Sequence, residues 1–179
     1  MTLKLIDPKT CYFASLDLGT KHTGISLFYS GEHRKSFTLE NKDTNSCTLP
    51  VTMFKLLRER LTGNFTGRFV VAIEDYSYGG SRFFNTSQAE IVGQLKAFIR
   101  DNPEYALVMI SPTSIKKIVT GSGKATKSQM KSALKSTGIY FADSHSADSY
   151  GVWLAYNSMW EAPSEAVLAR SINVIIKEL

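Results

Sequence analysis

The chain has 179 residues, 43% of them hydrophobic and 21% charged, two cysteines and a formal net charge of +5. That length suits one domain (residues 1–179) with a sizeable core, and the composition is ordinary for a globular protein. Cys11 and Cys47 cannot make a disulfide framework, no cluster has zinc-site spacing, and no apolar run approaches the ~20 residues of a membrane span.

Residues 1–8 lack the apolar core of a secretory signal, so a cytoplasmic location is expected. Strand-like runs follow at residues 12–16, 25–29 and 36–39. Met53, Leu56, Leu57 and Leu61 sit at helical spacing and predict a helix over residues 51–61. Residues 69–73 and 106–110 are continuous apolar runs, as central strands covered on both faces require. Between them, Thr86 or Ser87 could cap a helix to Ile99, with Glu90 completing a capping box from Ser87. A short basic helix is predicted over residues 127–135. Another starts at Ser144 or Ser146 and runs to about Trp160, and a last helix spans residues 165–178. The order is that of an α/β protein with five strands. Glycine-containing loops at residues 78–82 and 120–124 follow the fourth and fifth strands, where function commonly resides.

The first strand ends in a lone carboxylate, Asp17, followed by Leu18-Gly19-Thr20-Lys21-His22-Thr23-Gly24 and a second apolar run. A carboxylate at that place must be paired, bind metal, or be costly to bury. The fourth strand ends in Glu74-Asp75, and strand alternation lets only one of the two share the face of Asp17. His145 and Asp148 are three apart at a helix start and so lie on one face, with Asp143 competing if the helix begins earlier. Two strand-end carboxylates with a helix-start Asp and His make a hard, mostly oxygen site, suited to Mg²⁺ or Mn²⁺. From Tyr105 to Ala142 there is no acidic residue but there are six lysines, Lys116, Lys117, Lys124, Lys127, Lys131 and Lys135. Such a zone is either a solvated helix face or a seat for a polyanion, and the neighbouring carboxylates favour nucleic acid.

These residues resemble the RuvC family of Holliday junction resolvases, which have the RNase H-like (retroviral integrase) fold. Asp17-x-Gly19-x-x-x-x-Gly24 is similar to the family's first motif, and Ala72-Ile73-Glu74 to its second. Ser111-Pro112 through Ile115-Lys116, then Val119-Thr120-Gly121-x-Gly123-x-Ala125-x-Lys127-x-Gln129, is similar to its lysine-bearing segment. His145-x-Ala147-Asp148 is similar to its fourth catalytic motif, where many members carry Asp in place of His145. The resemblance implies a mixed sheet, three antiparallel strands followed by parallel ones, flanked by helices. It implies a metal site of Asp17, Glu74, His145 and Asp148 holding two Mg²⁺ ions, with Mn²⁺ substituting. It also implies that Lys116 and Lys127 contact the substrate or steady the scissile phosphate. The implied enzyme is a homodimeric crossover junction endodeoxyribonuclease that nicks two opposed strands of a four-way junction and leaves 5′-phosphates, in DNA recombination and repair. Lys117, Lys124 and Arg82 are further candidate DNA contacts. An aromatic near the junction centre is expected after Glu74, with Tyr76, Tyr78, Phe83 and Phe84 available.

Other readings rest on less. The first motif is also similar to that of the RuvX (YqgF) group, implicated in ribosomal RNA processing, but those chains usually lack the lysine-bearing segment. A phage-type resolvase with relaxed specificity for branched DNA, acting in a host cytoplasm, stands between the two. A junction-binding protein without activity would not need acidic residues at every motif. Gly121-Ser122-Gly123-Lys124 is not a P-loop, because Ile118 and Ala125 replace the required Gly and Ser or Thr. A sugar-kinase or actin-like ATPase needs two such domains, which 179 residues cannot hold. Tyr150, Trp153 and Tyr156, at helical spacing, are expected in the core or a dimer interface rather than as a base-stacking platform.

Overall fold

A computed structural model describes residues 5–40, 68–75, 86–162 and 172–175. Strands β1 (Tyr12–Asp17), β2 (His22–Tyr29) and β3 (Glu32–Glu40) form an antiparallel meander. Ser30 and Gly31, both at positive φ (53° and 77°), make the two-residue turn from β2 to β3. Strands β4 (Phe69–Glu74) and β5 (Tyr105–Ile110) continue the sheet in parallel beyond β1, and β6 (Ile172–Ile175) pairs antiparallel with β5. The sheet order is β3-β2-β1-β4-β5-β6. Helix α1 (Thr86–Asp101) links β4 to β5, and α2 (Pro112–Thr120), α3 (Lys127–Lys135) and α4 (Ser144–Glu161) follow β5.

The alternation of side chains divides the core into two layers. Ala14, Leu16, Val71, Ile73, Leu107 and Met109 pack with Ile91, Leu95 and Ile99 of α1 on one face. Phe13, Val70, Ala72, Val108 and Ile110 pack on the other with Ile115 of α2, Met130 and Leu134 of α3, and much of α4. On that second face Trp153 stacks on Phe28 with ring centroids 3.9 Å apart and meets Phe13 edge-on at 4.7 Å. Tyr156 lies against Phe13 and donates its hydroxyl to the Ile6 carbonyl at 2.6 Å. Tyr150, Trp153 and Tyr156 are therefore core residues, as their spacing suggests.

The five expected strands are all present, with one addition and one correction. Within the span of the expected last helix (165–178), the described residues Ile172–Ile175 form strand β6 instead. All six residues of β5 are buried, and a strand so covered needs both edges paired. Ile172-Asn173-Val174-Ile175, rich in β-branched residues, supplies the partner. Helix α2 also emerges as an element of its own. Ser111 caps it by accepting the Ser114 N–H at 3.2 Å, Pro112 opens it, and Gly121 at φ 82° ends it. The expected helix over residues 51–61 lies outside the described residues, as do the side chains of Thr86 and Ser87.

Candidate active site

The sheet brings two carboxylates together by register. Leu16 lies opposite Ile73 on the parallel pair β1–β4, so Asp17 and Glu74 are the next residues on adjacent strand ends. Glu74 has the parity of Val70 and Ala72 and shares the α4 face with Asp17, whose parity is that of Phe13. This resolves the choice between Glu74 and Asp75.

The third group arrives on α4, and small residues let it approach. Ser26 on the sheet meets Ser146 and Ser149 on the first turns of the helix, and Gly24 lies against the His145 backbone. Ser26 Oγ hydrogen-bonds Ser149 Oγ at 2.8 Å and Ser36 Oγ at 2.7 Å, tying β2, β3 and α4 together. A side chain on Gly24 would run into the backbone carbonyl of His145. Asp143 is the N-cap of α4. It accepts the Ser146 N–H at 2.8 Å and the Thr38 hydroxyl at 2.7 Å, and these bonds hold its pKa low despite some burial. Its Oδ1 thus serves the helix end and β3, while His145 lies against Asp17 and Asp148 feels the charge of Asp17.

His145 Nδ1 lies 2.9 Å from Asp17 Oδ2. Packing around the Glu74 carboxyl, chiefly, raises its pKa to about 7, although the residue stays open to solvent on one side; the charges of Asp17 and Asp148 add to the rise. Asp148 is pushed up to about 6 by burial and by Asp17. Lys116 and Lys127 are close enough to pull Glu74 back down, and Lys127 and His145 do the same for Asp148. Lys116 from the middle of α2, Lys127 from the start of α3 and three carboxylates from β1, β4 and α4 thus share one electrostatic neighbourhood.

The other expected residues are less concentrated. Lys117, on α2, and Lys124, between α2 and α3, are exposed, and neither is among the charges acting on Glu74 or Asp148. Tyr76, Tyr78 and Arg82 lie outside the described residues, as do Phe83 and Phe84. Two contributors carry no sequence signal beyond their place in the chain. His22 stacks on His145 with ring centroids 5.4 Å apart, and Gln88 of α1 donates to the Leu18 carbonyl at 3.3 Å, behind Asp17.

Among the described residues, no three His, Cys, Asp or Glu side chains are drawn together tightly enough to enclose an ion as they stand. The donor chemistry nevertheless suits a hard divalent cation. The carboxylates repel one another, and the strain is relieved either by protons or by metal.

No protein-family model matches the sequence, and no curated protein matches it. In three dimensions the chain is similar to RuvC of Thermus thermophilus at 14% identity and a TM-score of 0.63, over 90% of this chain and 98% of that one. It is similar to the same protein in complex with a Holliday junction substrate at 15% identity and a TM-score of 0.62, with the same coverage. The chain has a RuvC-like, RNase H-like fold.

Proposed function

We propose that the chain is a metal-dependent, structure-selective DNA endonuclease that resolves four-way junctions in recombination and repair, leaving 5′-phosphate ends. The observation that carries this reading is the meeting of Asp17, Glu74 and Asp148 from three separate elements, beside Lys116 and Lys127. Asp17, Glu74 and Asp148 would hold two Mg²⁺ or Mn²⁺ ions, with His145 completing the set. Such ions activate a water and stabilise the leaving 3′-oxygen of a phosphodiester. Lys116 and Lys127 supply positive charge where the scissile phosphate must lie, and Lys117 and Lys124 extend it along the backbone. The bond from Asp17 to His145 Nδ1 leaves Nε2 as the nitrogen free to act.

Each chain carries one such set among its described residues, so paired symmetric nicks call for a homodimer. The fold's likeness to a protein solved with a Holliday junction substrate supports branched DNA as the partner. Among the described residues no helix is long and apolar enough to cross a membrane, and we place the enzyme in the cytoplasm.

Labelled four-way junction, Y-flap, linear duplex and structured RNA, offered with Mg²⁺, Mn²⁺ or Ca²⁺, test the reading. Paired nicks on the junction with Mg²⁺ or Mn²⁺, and little on duplex, are expected. Equal cleavage of flap and junction would favour a branched-DNA nuclease of relaxed specificity. Preference for RNA would favour a RuvX-like role, and tight binding without cleavage under any metal would contradict an enzyme.

A further inference from the structure

The first residue of β2, His22, presents a second imidazole to the site. The ring of His22 lies nearly parallel to that of His145, at 14° between planes and 5.4 Å between centroids. The turn beneath it is pinned. Thr23 Oγ1 donates to the Gly19 carbonyl at 3.3 Å, and a side chain on Gly19 would run into the carbonyl of His22. His145 needs such support. Its backbone is fixed against Gly24, but its side chain is 40% exposed and held at one atom, Nδ1, by Asp17. One hydrogen bond leaves a ring free to swing about the bond, whereas a second ring over its face removes that freedom. Asp17 and His22, the two residues that flank the β1–β2 turn, thus meet the edge and the face of the same imidazole.

We propose that His22 is a positioning residue, whose ring stacks on His145 and holds the imidazole plane in one orientation against Asp17, at the edge of the carboxylate cluster. This rests on the nuclease reading of the site. What His22 contributes is its flat face, so phenylalanine should replace it and alanine should not.

The test compares wild type, His22→Ala, His22→Phe and His22→Leu by two readouts. The first is the Mn²⁺ concentration that gives half of the metal-induced rise in melting temperature, without DNA. The second is the Mn²⁺ concentration for half-maximal junction cleavage. A stacked pair is worth about a 2- to 10-fold effect, so both midpoints should rise by that factor in His22→Ala and stay within about 2-fold of wild type in His22→Phe. His22→Leu fills the space without a ring, stands in should the alanine variant not fold, and should behave as His22→Ala does. Junction affinity in Ca²⁺ should be equal in all four. Midpoints in His22→Ala or His22→Leu equal to wild type, or His22→Phe as impaired as either, would overturn the role of His22 while leaving the nuclease reading intact. Wild type that neither takes up Mn²⁺ nor cleaves would overturn the nuclease reading and the positioning role with it.

Discussion

Glu74 and Asp148 keep their protons to about pH 7 and about pH 6, against ordinary values of 4.5 and 3.8. A carboxyl raised in this way binds more protons folded than unfolded throughout that window. Stability therefore falls as pH rises from the ordinary values through the raised ones, and levels off above them. His33, whose pKa is lowered by burial, works in the opposite sense. The informative comparison is thus between wild type and Glu74→Gln in the presence of a chelator. Glu74→Gln should be more stable at about pH 8, by roughly 1 kcal/mol given the solvent around this side chain, with a shallower fall between pH 5 and 8. Chemical denaturation at the two pH values measures this, and an unchanged slope would contradict the crowding of the carboxylates. Mg²⁺ should recover the loss in wild type and recover less in the variant. Gly24 makes the second residue-scale prediction. Its alanine variant pushes β2 against the His145 carbonyl and should lose about 1–3 kcal/mol together with most metal binding.

The element that decides the site is α4. Its first turns are small and polar, and its later turns carry Tyr150, Trp153 and Tyr156 into the core. The large residues anchor the helix while the small ones let its start reach β1 and β4. Trp153→Ala should therefore cost about 3–5 kcal/mol in denaturant unfolding, because the side chain fills the space between Phe13 and Phe28. Asp143→Ala should cost only about 1 kcal/mol, as a lost cap, and leave metal-dependent cleavage in place. If Asp143→Ala abolished cleavage without unfolding the chain, Asp143 rather than His145 would belong to the metal set.

Much of this element was legible in the sequence. The apolar runs of β1, β4 and β5 and the spacing of His145 and Asp148 mark the site because strand parity and helical periodicity are local properties. Lys127–Lys135 likewise matches its expected bounds, with Thr126 and Gln129 forming the capping box. Helix α2 also has local signals, Ser111-Pro112 at one end and Gly121 at the other, but they coincide with the lysine-bearing motif and a glycine-containing loop. β6 depends on a need felt elsewhere in the fold, the open edge of β5, which no local pattern reports. The stacking of His22 on His145 joins residues 123 positions apart and depends on the close approach that Gly24 permits.

Across the whole molecule, charge is divided by segment. Residues 105–142 carry six lysines and no acid, while the rest of the chain sums to −1. Lys116 and Lys127 lie by the carboxylates, and Lys117, Lys124, Lys131 and Lys135 extend the positive zone along α2, α3 and their connection. A polyanion held this way binds by displacing counterions, so junction affinity should fall steeply with salt. Lys127→Ala should weaken junction binding about equally for all junction sequences and reduce the salt slope by roughly 1. A slope unchanged in that variant would remove Lys127 from the DNA contact.

The central claim is that carboxylates from β1, β4 and α4 form one metal-dependent cutting site on a junction-binding chain. It is tested most directly by cleavage and binding of one labelled four-way junction in Mg²⁺, with wild type, Asp17→Asn and Asp148→Asn side by side. The expected result is symmetric nicking by wild type, lost by about 10²-fold or more in both variants, with junction affinity preserved. Cleavage retained in either variant, or absent in wild type with every metal tried, would contradict it.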